Sequence, residues 1–208
     1  MKLLYGTANQ AKIQHMKEML NNLDLEITGL NDSNLHIEQI DESGNSPLEN
    51  AKIKAVAYFR AAKSPVFSCD SGLYIDGLDI KNQPGVQVRR VNGKVLNDEE
   101  MIEYYSNLAA KLGGKAIAKY KNAICLILDE ENIFEYDGED ISSVRFLITS
   151  QAHPRRNPGF PLDSISLDIK SGRYYMDLDP YGNFEDEDEM AKGFREFFLR
   201  TLIKHKDL

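Results

Sequence analysis

The stretch Val66-Phe67-Ser68-Cys69-Asp70-Ser71-Gly72-Leu73 decides how the chain is interpreted. A β-prone run leads to the carboxylate of Asp70, and a hydroxyl and a glycine follow it. We expect a strand that stops at Asp-Ser-Gly, because the strand holds the acid rigidly while the glycine lets the backbone approach a ligand. This is typical of a metal or phosphate site, although turn chemistry alone also produces these residues. The interpretation therefore depends on the other segments.

The amino terminus supplies the first such segment. Lys2-Leu3-Leu4-Tyr5 predicts a buried strand, residues 6–10 a tight loop, and the apolar spacing from residue 11 onward a helix. The loop and the helix N-terminus present backbone N–H groups, and Lys12 adds an ammonium in the first turn. The pattern suits a phosphate but is not a Walker A loop, since the second glycine and the Lys-Ser/Thr pair are missing.

A second segment supplies another carboxylate. Ser46, Pro47 and Glu49 form a capping box with proline at the first helical position, so a helix begins here. Glu49 then has a structural role, which leaves Glu42 as the free acid of the preceding loop. We expect Glu42 to meet Asp70, because two carboxylates from separate elements facing a lysine are what Mg²⁺-dependent phosphate chemistry uses.

Composition favours one enzyme domain, residues 1–208, with two lobes around a central cleft. The chain has 208 residues, of which 42% are hydrophobic, enough for one sizeable core. A formal charge of −8 argues against binding a nucleic acid polymer. The absence of a long apolar run and of a signal h-region predicts no membrane association and a cytoplasmic location. Cys69 and Cys125 are expected to be buried free thiols, and the four histidines show no ligand spacing.

The remaining segments predict an α/β fold with a long mixed, twisted β-sheet flanked by helices. Asn97 and Glu100 form a second capping box, and the helix that follows carries Met101, Tyr104 and Tyr105 on one face. Strands are expected over residues 117–128, 133–136 and 141–148, and an amphipathic helix in the tail.

Read in order, several motifs resemble the Ham1 family of inosine triphosphate pyrophosphatases. In that family they look like T-G-N-x-x-K, E-E-T-G-x-x-x-x-E-N-A, D-D-S-G-L, A-P-G-x-x-S-A-R and G-F-G-Y/W-D-P-I. The corresponding stretches here are residues 6–12, 41–55, 69–73, 83–90 and 158–165.

The chain departs from the family pattern at three places. Cys69 replaces the first aspartate of D-D-S-G-L, which predicts a weaker metal site. Pro161 and Leu162 replace a glycine and an aromatic residue. The Ser-His-Arg signature that the family uses to read the purine is missing; Met190, Ala191 and Lys192 stand in its place, with an acidic residue near Asp186 where a lysine is usual. Lysine lacks the forked donor set of arginine, so base selectivity should differ.

The resemblance implies a homodimeric, Mg²⁺-dependent enzyme that hydrolyses a nucleoside triphosphate to the monophosphate and pyrophosphate. Asp70 would hold the ion and act as base for the attacking water, with Glu42 as partner carboxylate and Lys12 as the third catalytic residue. The residues expected to bind substrate are Thr7, Asn9, Lys12, Lys54, Ser71 and Arg90 on the phosphate side, and Phe160, Asp163 and Lys192 on the base side.

Two other functions stay open on the sequence alone. A nucleotide-binding or sensing protein without turnover would explain the missing Ser-His-Arg. A Mg²⁺-dependent phosphatase of another phosphorylated small molecule would explain why the base-reading side has changed. Neither the preferred nucleobase nor the number of metal ions follows from the sequence.

Overall fold

The structure, a computed structural model, describes residues 1–32, 40–178 and 185–206, with side chains except at 185–188 and 204–206. Its strands are β1 (Lys2–Tyr5), β2 (Glu26–Gly29), β3 (Val66–Ile75), β4 (Arg90–Val91), β5 (Lys94–Val95), β6 (Lys115–Ile127), β7 (Ile133–Tyr136), β8 (Phe146–Thr149) and β9 (Ser166–Asp168). Its α-helices are α1 (Gln10–Met19), α2 (Pro47–Ala62), α3 (Asp98–Lys111) and α4 (Glu185–Lys206). None of the helices in the described ranges is both long and apolar enough to span a membrane.

Seven of the strands form one mixed sheet in the order β2-β1-β3-β6-β8-β9, and β7 pairs with β6. β1 is parallel to β2 and β3, whereas β6 is antiparallel to β7 and β8. The strands β4 and β5 form a separate two-stranded ladder. The predicted α/β class with a long mixed sheet is confirmed.

The backbone divides into two compact units, and β3 and β6 contribute to both. The first unit comprises Met1–Ser71, Lys121–Ser142 and Glu185–Leu208; the second comprises Gly72–Tyr120 and Ser143–Phe184. The expectation of one domain over residues 1–208 with a central cleft stays a prediction.

The first unit has apolar contacts on both faces of its sheet. Ile124 and Leu126 of β6 join the core built with α1 and α4, while Cys125 and Ile127 pack with α2. Successive side chains of a strand point to opposite faces, so α2 lies across the sheet from α1 and α4. The core on the α1 and α4 side includes the predicted apolar residues Ile13, Met16, Leu20, Phe194, Phe197 and Phe198.

The second unit has its own core around α3. Met101, Ile102 and Tyr105 of this helix are buried with Phe146 of β8. The observed capping box of Asn97 and Glu100 begins α3 as predicted. Tyr104, expected on the buried face, is 39% exposed, because the buried stripe of α3 follows Ile102 instead.

Two strand predictions were wrong at their ends. β3 does not stop at Asp-Ser-Gly but continues to Ile75, because Leu73 exchanges backbone hydrogen bonds of 2.9 Å in both directions with Gly85. A Cβ on Gly72 would lie 3.3 Å from the Gly85 carbonyl oxygen, so this glycine permits a close backbone approach rather than a turn.

The strand expected over residues 141–148 begins only at Phe146. Residues Glu139–Ile141 form a 3-10 helix instead. The Ser143 hydroxyl accepts the backbone N–H of Tyr120 at 2.9 Å and so takes the place of a ladder hydrogen bond. Serine side chains compete with backbone pairing in this way, so the regular pairing of β8 with β6 begins only after Ser143, at Phe146.

Candidate active site

Helix α2 positions two of the polar side chains that face β3. The Ser46 hydroxyl accepts the N–H of Glu49 at 3.2 Å and fixes the start of the helix, with Pro47 at its first position. The Glu49 carboxylate accepts from Asn45 at 2.6 Å rather than from Ser46, so the capping box is shifted by one residue. Asn50 and Lys54, one turn apart, then project from the same face of α2 and are buried.

Asp70 of β3 lies opposite these two side chains and is also buried. The Lys54 ammonium donates to Asp70 Oδ1 at 2.7 Å, and the Asn50 amide donates to Asp70 Oδ2 at 3.3 Å. The Asn50 carbonyl oxygen in turn accepts the backbone N–H of Gly44 at 2.9 Å. Asn50 therefore ties the loop that precedes α2 to the carboxylate on β3.

Glu42 completes the cluster from that loop. Its Oε2 lies 3.4 Å from the Lys54 ammonium, so Glu42 and Asp70 share one cation. Burial alone would lower the pKa of Lys54, but the two carboxylates outweigh it and the pKa is raised. Two carboxylates against one ammonium leave about one negative charge unbalanced within the cluster, and Lys12 is near enough to feel it. The assignment of Glu42 and Asp70 as catalytic and metal residues stays a prediction.

Lys12, at the start of α1, is the second cation of this region. Among the described residues it has no salt bridge, yet it is close enough to Lys54, Asp70 and Glu42 to feel their charges. Burial, and then repulsion by Lys54, lower the pKa of Lys12 against the pull of the carboxylates. A half-buried ammonium without a counterion is able to bind an anion such as a phosphate.

Thr7 and Asn9 have structural roles in the loop before α1. The Asn9 side-chain oxygen caps the helix by accepting from Ala11 at 3.0 Å and from Lys12 at 3.2 Å. The Thr7 hydroxyl accepts the N–H of Asn9 at 3.2 Å. The helix N-terminus is thus capped by its own chain, and phosphate binding by Thr7 and Asn9 stays a prediction.

Cys69 and Asp70 point to opposite faces of the sheet, as neighbours on a strand do. Cys69 packs against the core on the α1 and α4 side and hydrogen-bonds Tyr5. Burial raises the pKa of this thiol to about 12, and that of Cys125 likewise to about 12. Both cysteines are free, as predicted; Cys125 is buried and Cys69 half-buried.

The other predicted residues do not all lie in the first unit. Ser71 is half-buried in β3, next to Asp70. Arg90 is exposed in β4 of the second unit. Phe160 precedes a short 3-10 helix there, and the Asp163 carboxylate accepts from the Asn157 amide at 2.8 Å.

The structure gives Lys192 no contact with the carboxylate cluster. Its side chain is 69% exposed and lies 3.9 Å from Glu196, one turn along α4. Ala191 beside it is buried in the core. Substrate binding by Lys192 stays a prediction, and the side chain of Asp186 lies outside the described residues.

Within the described ranges, no group of three or more His, Cys, Asp or Glu side chains is arranged to hold a metal ion. Mg²⁺ commonly binds proteins through one or two carboxylates, with substrate phosphates and water as further ligands. Asp70 and Glu42 are of the residue types that could hold Mg²⁺ in this way, and their assignment as metal ligands stays a prediction.

Sequence reasoning missed Asn50. The signal was present, because Asn50 and Lys54 are four residues apart on a helix that Ser46 begins. The apolar positions of α2 predict its buried face, but apolar spacing alone does not indicate that an amide on that face is a partner for Asp70. A polar pair at helical spacing among alanines would have indicated it.

The comparisons with protein families, with curated proteins and with solved structures agree with one another. The Ham1 family model matches residues 3–163. A dITP/XTP pyrophosphatase of Lactobacillus acidophilus is 32% identical over 98% of this chain and 96% of its own length. A dITP/XTP pyrophosphatase of Rhodopseudomonas palustris is 29% identical over 85% of this chain and 81% of its own. The Staphylococcus aureus Ham1 protein structure aligns over 100% of both chains with a TM-score of 0.65 at 22% identity, a likeness of fold. The chain belongs to the Ham1 family.

Proposed function

We propose that this protein is a nucleoside triphosphate pyrophosphohydrolase that acts on non-standard purine nucleotides such as ITP, XTP and dITP. The relatives at 29% and 32% identity carry the name dITP/XTP pyrophosphatase, which supports the substrate class. The observation that carries the proposal is the cluster that half-exposed Glu42 forms with the buried Asp70 and Lys54, beside Lys12, which has no salt bridge among the described residues. A structural ion pair would need neither the second carboxylate nor the second ammonium.

Asp70 and Glu42 would hold Mg²⁺, and Asp70 would accept a proton from water. When bound, Mg²⁺ would supply charge neutralisation for the triphosphate. The water oxygen forms a bond to the α-phosphorus, its proton goes to Asp70, and the bond from the α-phosphorus to the bridging oxygen breaks to release pyrophosphate. Lys12 would stabilise the negative charge that develops on the leaving group.

Lys54 has a part in this proposal that differs from simple phosphate binding. Its ammonium, at 2.7 Å from Asp70 and 3.4 Å from Glu42, holds the two carboxylates together before substrate arrives. Asn50 fixes the other oxygen of Asp70. Both side chains would keep the acids at the separation that a shared cation needs.

The homodimer, the cytoplasmic location and the absence of a nucleic acid polymer among the partners belong to this proposal as well. The resemblance to the family supports the dimer. The charge of −8 supports a small, phosphate-bearing partner over a polymer, because neutralising a polymer takes a broad basic surface.

The test is product analysis with a panel of ITP, XTP, dITP, dUTP and the common nucleoside triphosphates in the presence of Mg²⁺. We expect pyrophosphate from the purine members, and a loss of at least about a hundredfold in Asp70→Asn, as for removal of a general base. Asp76→Asn is the matched control. It changes an exposed aspartate near the end of the same strand, one that pairs only with Arg145 among the described residues.

Each of the other outcomes would indicate a different function for this protein. Orthophosphate without pyrophosphate would indicate the phosphatase. Tight nucleotide binding with no product would indicate the sensing protein. Equal loss of activity in Asp70→Asn and Asp76→Asn would contradict the role of Asp70.

A further inference from the structure

The loop that precedes α1 has few backbone donors left for an anion. The Gly6 N–H donates to the Phe67 carbonyl at 2.8 Å, and the Asn9 side-chain oxygen already accepts two N–H groups at the start of the helix. The N–H groups that donate within the chain are those of Gly6, Thr7, Asn9, Ala11, Lys12 and Ile13. A phosphate at this loop therefore needs hydrogen-bond donors from side chains.

The ring of Tyr58 lies against Gly6 of this loop. A Cβ added to Gly6 would lie 2.5 Å from Cδ2 and 2.9 Å from Cε2 of Tyr58, so the ring occupies the space that a larger residue would need. Cε2 is bonded to the ring carbon that carries the hydroxyl, so the hydroxyl lies at the same loop. Tyr58 belongs to α2, one turn after Lys54, and both side chains therefore project from one side of the helix.

The Tyr58 hydroxyl is an unused donor. It has no hydrogen bond to another residue in the part of the chain that the structure describes, and Tyr58 is half-buried. Burial raises the pKa of this phenol; Lys54 lowers it and Glu42 raises it, so the hydroxyl lies within range of both charges. The phenol keeps its proton at neutral pH and is able to donate it to an anion.

A second hydroxyl contacts the same glycine but differs in its access to solvent. Ser68 Oγ would lie 2.2 Å from the Cβ added to Gly6. It also lacks a hydrogen-bond partner among the described residues, but Ser68 is 0% exposed. A ligand that arrives from solvent cannot reach Ser68 Oγ. Tyr58 is therefore the hydroxyl at Gly6 that is available to a substrate.

We propose that Tyr58 is a substrate-binding residue that donates a hydrogen bond to an oxygen of the leaving pyrophosphate, an inference that rests on the proposed function. Lys12 of the same loop would neutralise charge on this group, and Tyr58 would fix the orientation of one of its oxygens. The phenol supplies the donor that the occupied N–H groups of the loop do not. A nucleoside monophosphate lacks the two outer phosphates, so it would not contact Tyr58.

The test is the affinity of Tyr58→Phe for pyrophosphate and for IMP, measured by calorimetry in the presence of Mg²⁺. The variant keeps the ring against Gly6 and removes only the hydroxyl. We expect the affinity for pyrophosphate to fall about tenfold, as for one hydrogen bond to a charged acceptor, and the affinity for IMP to stay within about twofold of wild type.

Ser68→Ala is the matched control, because it removes the buried hydroxyl at the same glycine. Both of its affinities should stay within about twofold of wild type. A wild-type affinity of Tyr58→Phe for pyrophosphate would overturn the inference. Equal weakening of pyrophosphate and IMP would overturn it as well, because a general disturbance of the site, rather than a lost contact to the leaving group, has that effect.

Turnover separates this inference from the proposed function. If the protein releases pyrophosphate from ITP, kcat/KM should fall in Tyr58→Phe by a factor similar to the loss in pyrophosphate affinity. If no triphosphate gives pyrophosphate but the pattern of affinities holds, only the reaction is refuted, and Tyr58 still binds the outer phosphates. If pyrophosphate forms and Tyr58→Phe binds it as tightly as wild type, only the role of Tyr58 is refuted.

Discussion

Replacing Lys54 by methionine should destabilise the first unit by about 3 kcal/mol. Breaking a buried ion pair by removing one partner costs about 3–5 kcal/mol, because the other charge is left buried. The side chains of Lys54 and Asp70 are 10% and 12% exposed, and the Asn50 amide still donates to Asp70, so the lower end of this range applies. A typical domain has about 5–15 kcal/mol of stability, so the variant should still fold.

Urea unfolding followed by circular dichroism, in EDTA, measures this cost. Lys52→Met is the matched control, since Lys52 lies on the same helix and pairs with Glu135 at 2.7 Å but is 53% exposed. An exposed pair contributes at most about 1 kcal/mol, so this variant should stay close to wild type. In the double variant Lys54→Met/Asp70→Asn, most of the cost should disappear, because the buried carboxylate is replaced by a neutral amide and only the 38% exposed Glu42 side chain loses its partner. A cost for Lys54→Met no larger than that for Lys52→Met would refute the reasoning.

The same variants test whether the carboxylates hold a cation. A ligand that binds the folded state stabilises it according to its concentration relative to its dissociation constant. Removing the ammonium takes away the positive charge that competes with Mg²⁺ at Asp70 and Glu42, and we expect this to outweigh the lost positioning of the two acids. Mg²⁺ should then raise the stability of Lys54→Met more than that of wild type. Equal responses of both proteins to Mg²⁺ would contradict a metal site at these two acids.

Two further predictions follow from the loop and helix before the cluster. Gly6→Ala should lower the free energy of unfolding in urea by about 1–3 kcal/mol, because an added Cβ would lie 2.2 Å from Ser68 Oγ and 2.5 Å from a Tyr58 ring carbon. Adding Ser68→Ala should recover part of this loss. A wild-type unfolding midpoint in Gly6→Ala would contradict the prediction. Burial and Lys54 lower the pKa of Lys12, and only its protonated form attracts an anion. The affinity for pyrophosphate, measured by calorimetry between about pH 7 and 10, should therefore decline at a pH below the ordinary lysine pKa of about 10.4. Lys12→Arg should keep its affinity to higher pH, and parallel declines in both proteins would exclude Lys12 as the titrating group.

The fold was largely predictable because its signals are local. The capping residues before α2 and α3 and the apolar spacing of α1 and α4 act within a few residues. The error at the end of β3 has the opposite origin. Asp-Ser-Gly has the composition of a turn, but Gly85, thirteen residues from Gly72, extends the strand by pairing with Leu73. No local pattern indicates a partner at that distance.

The charged members of the candidate site were predictable, but Asn50 and the arrangement of the side chains were not. Glu42, Lys54 and Asp70 stand out as charged residues near helix starts and strand ends, and the structure brings them together. The sequence assigned Lys54 to phosphate, whereas its ammonium lies against both acids. Which group a lysine faces depends on how α2 packs across β3, and this is set by tertiary contacts of Ala51 and Ala55.

Strand geometry changes the meaning of the substitution at position 69. The sequence comparison indicates one fewer carboxylate near the metal, as though positions 69 and 70 served the same site. Alternation along β3 directs Cys69 toward Tyr5 and the core, and Asp70 toward Asn50 and Lys54. An acid at 69 would therefore lie on the other face from the cation shared by Asp70 and Glu42. Cys69 is also near enough to Lys12 to affect its pKa, so an aspartate there would add a carboxylate to the surroundings of this lysine, whereas the neutral thiol does not. Under the proposed function, this difference favours binding of phosphate by the Lys12 ammonium.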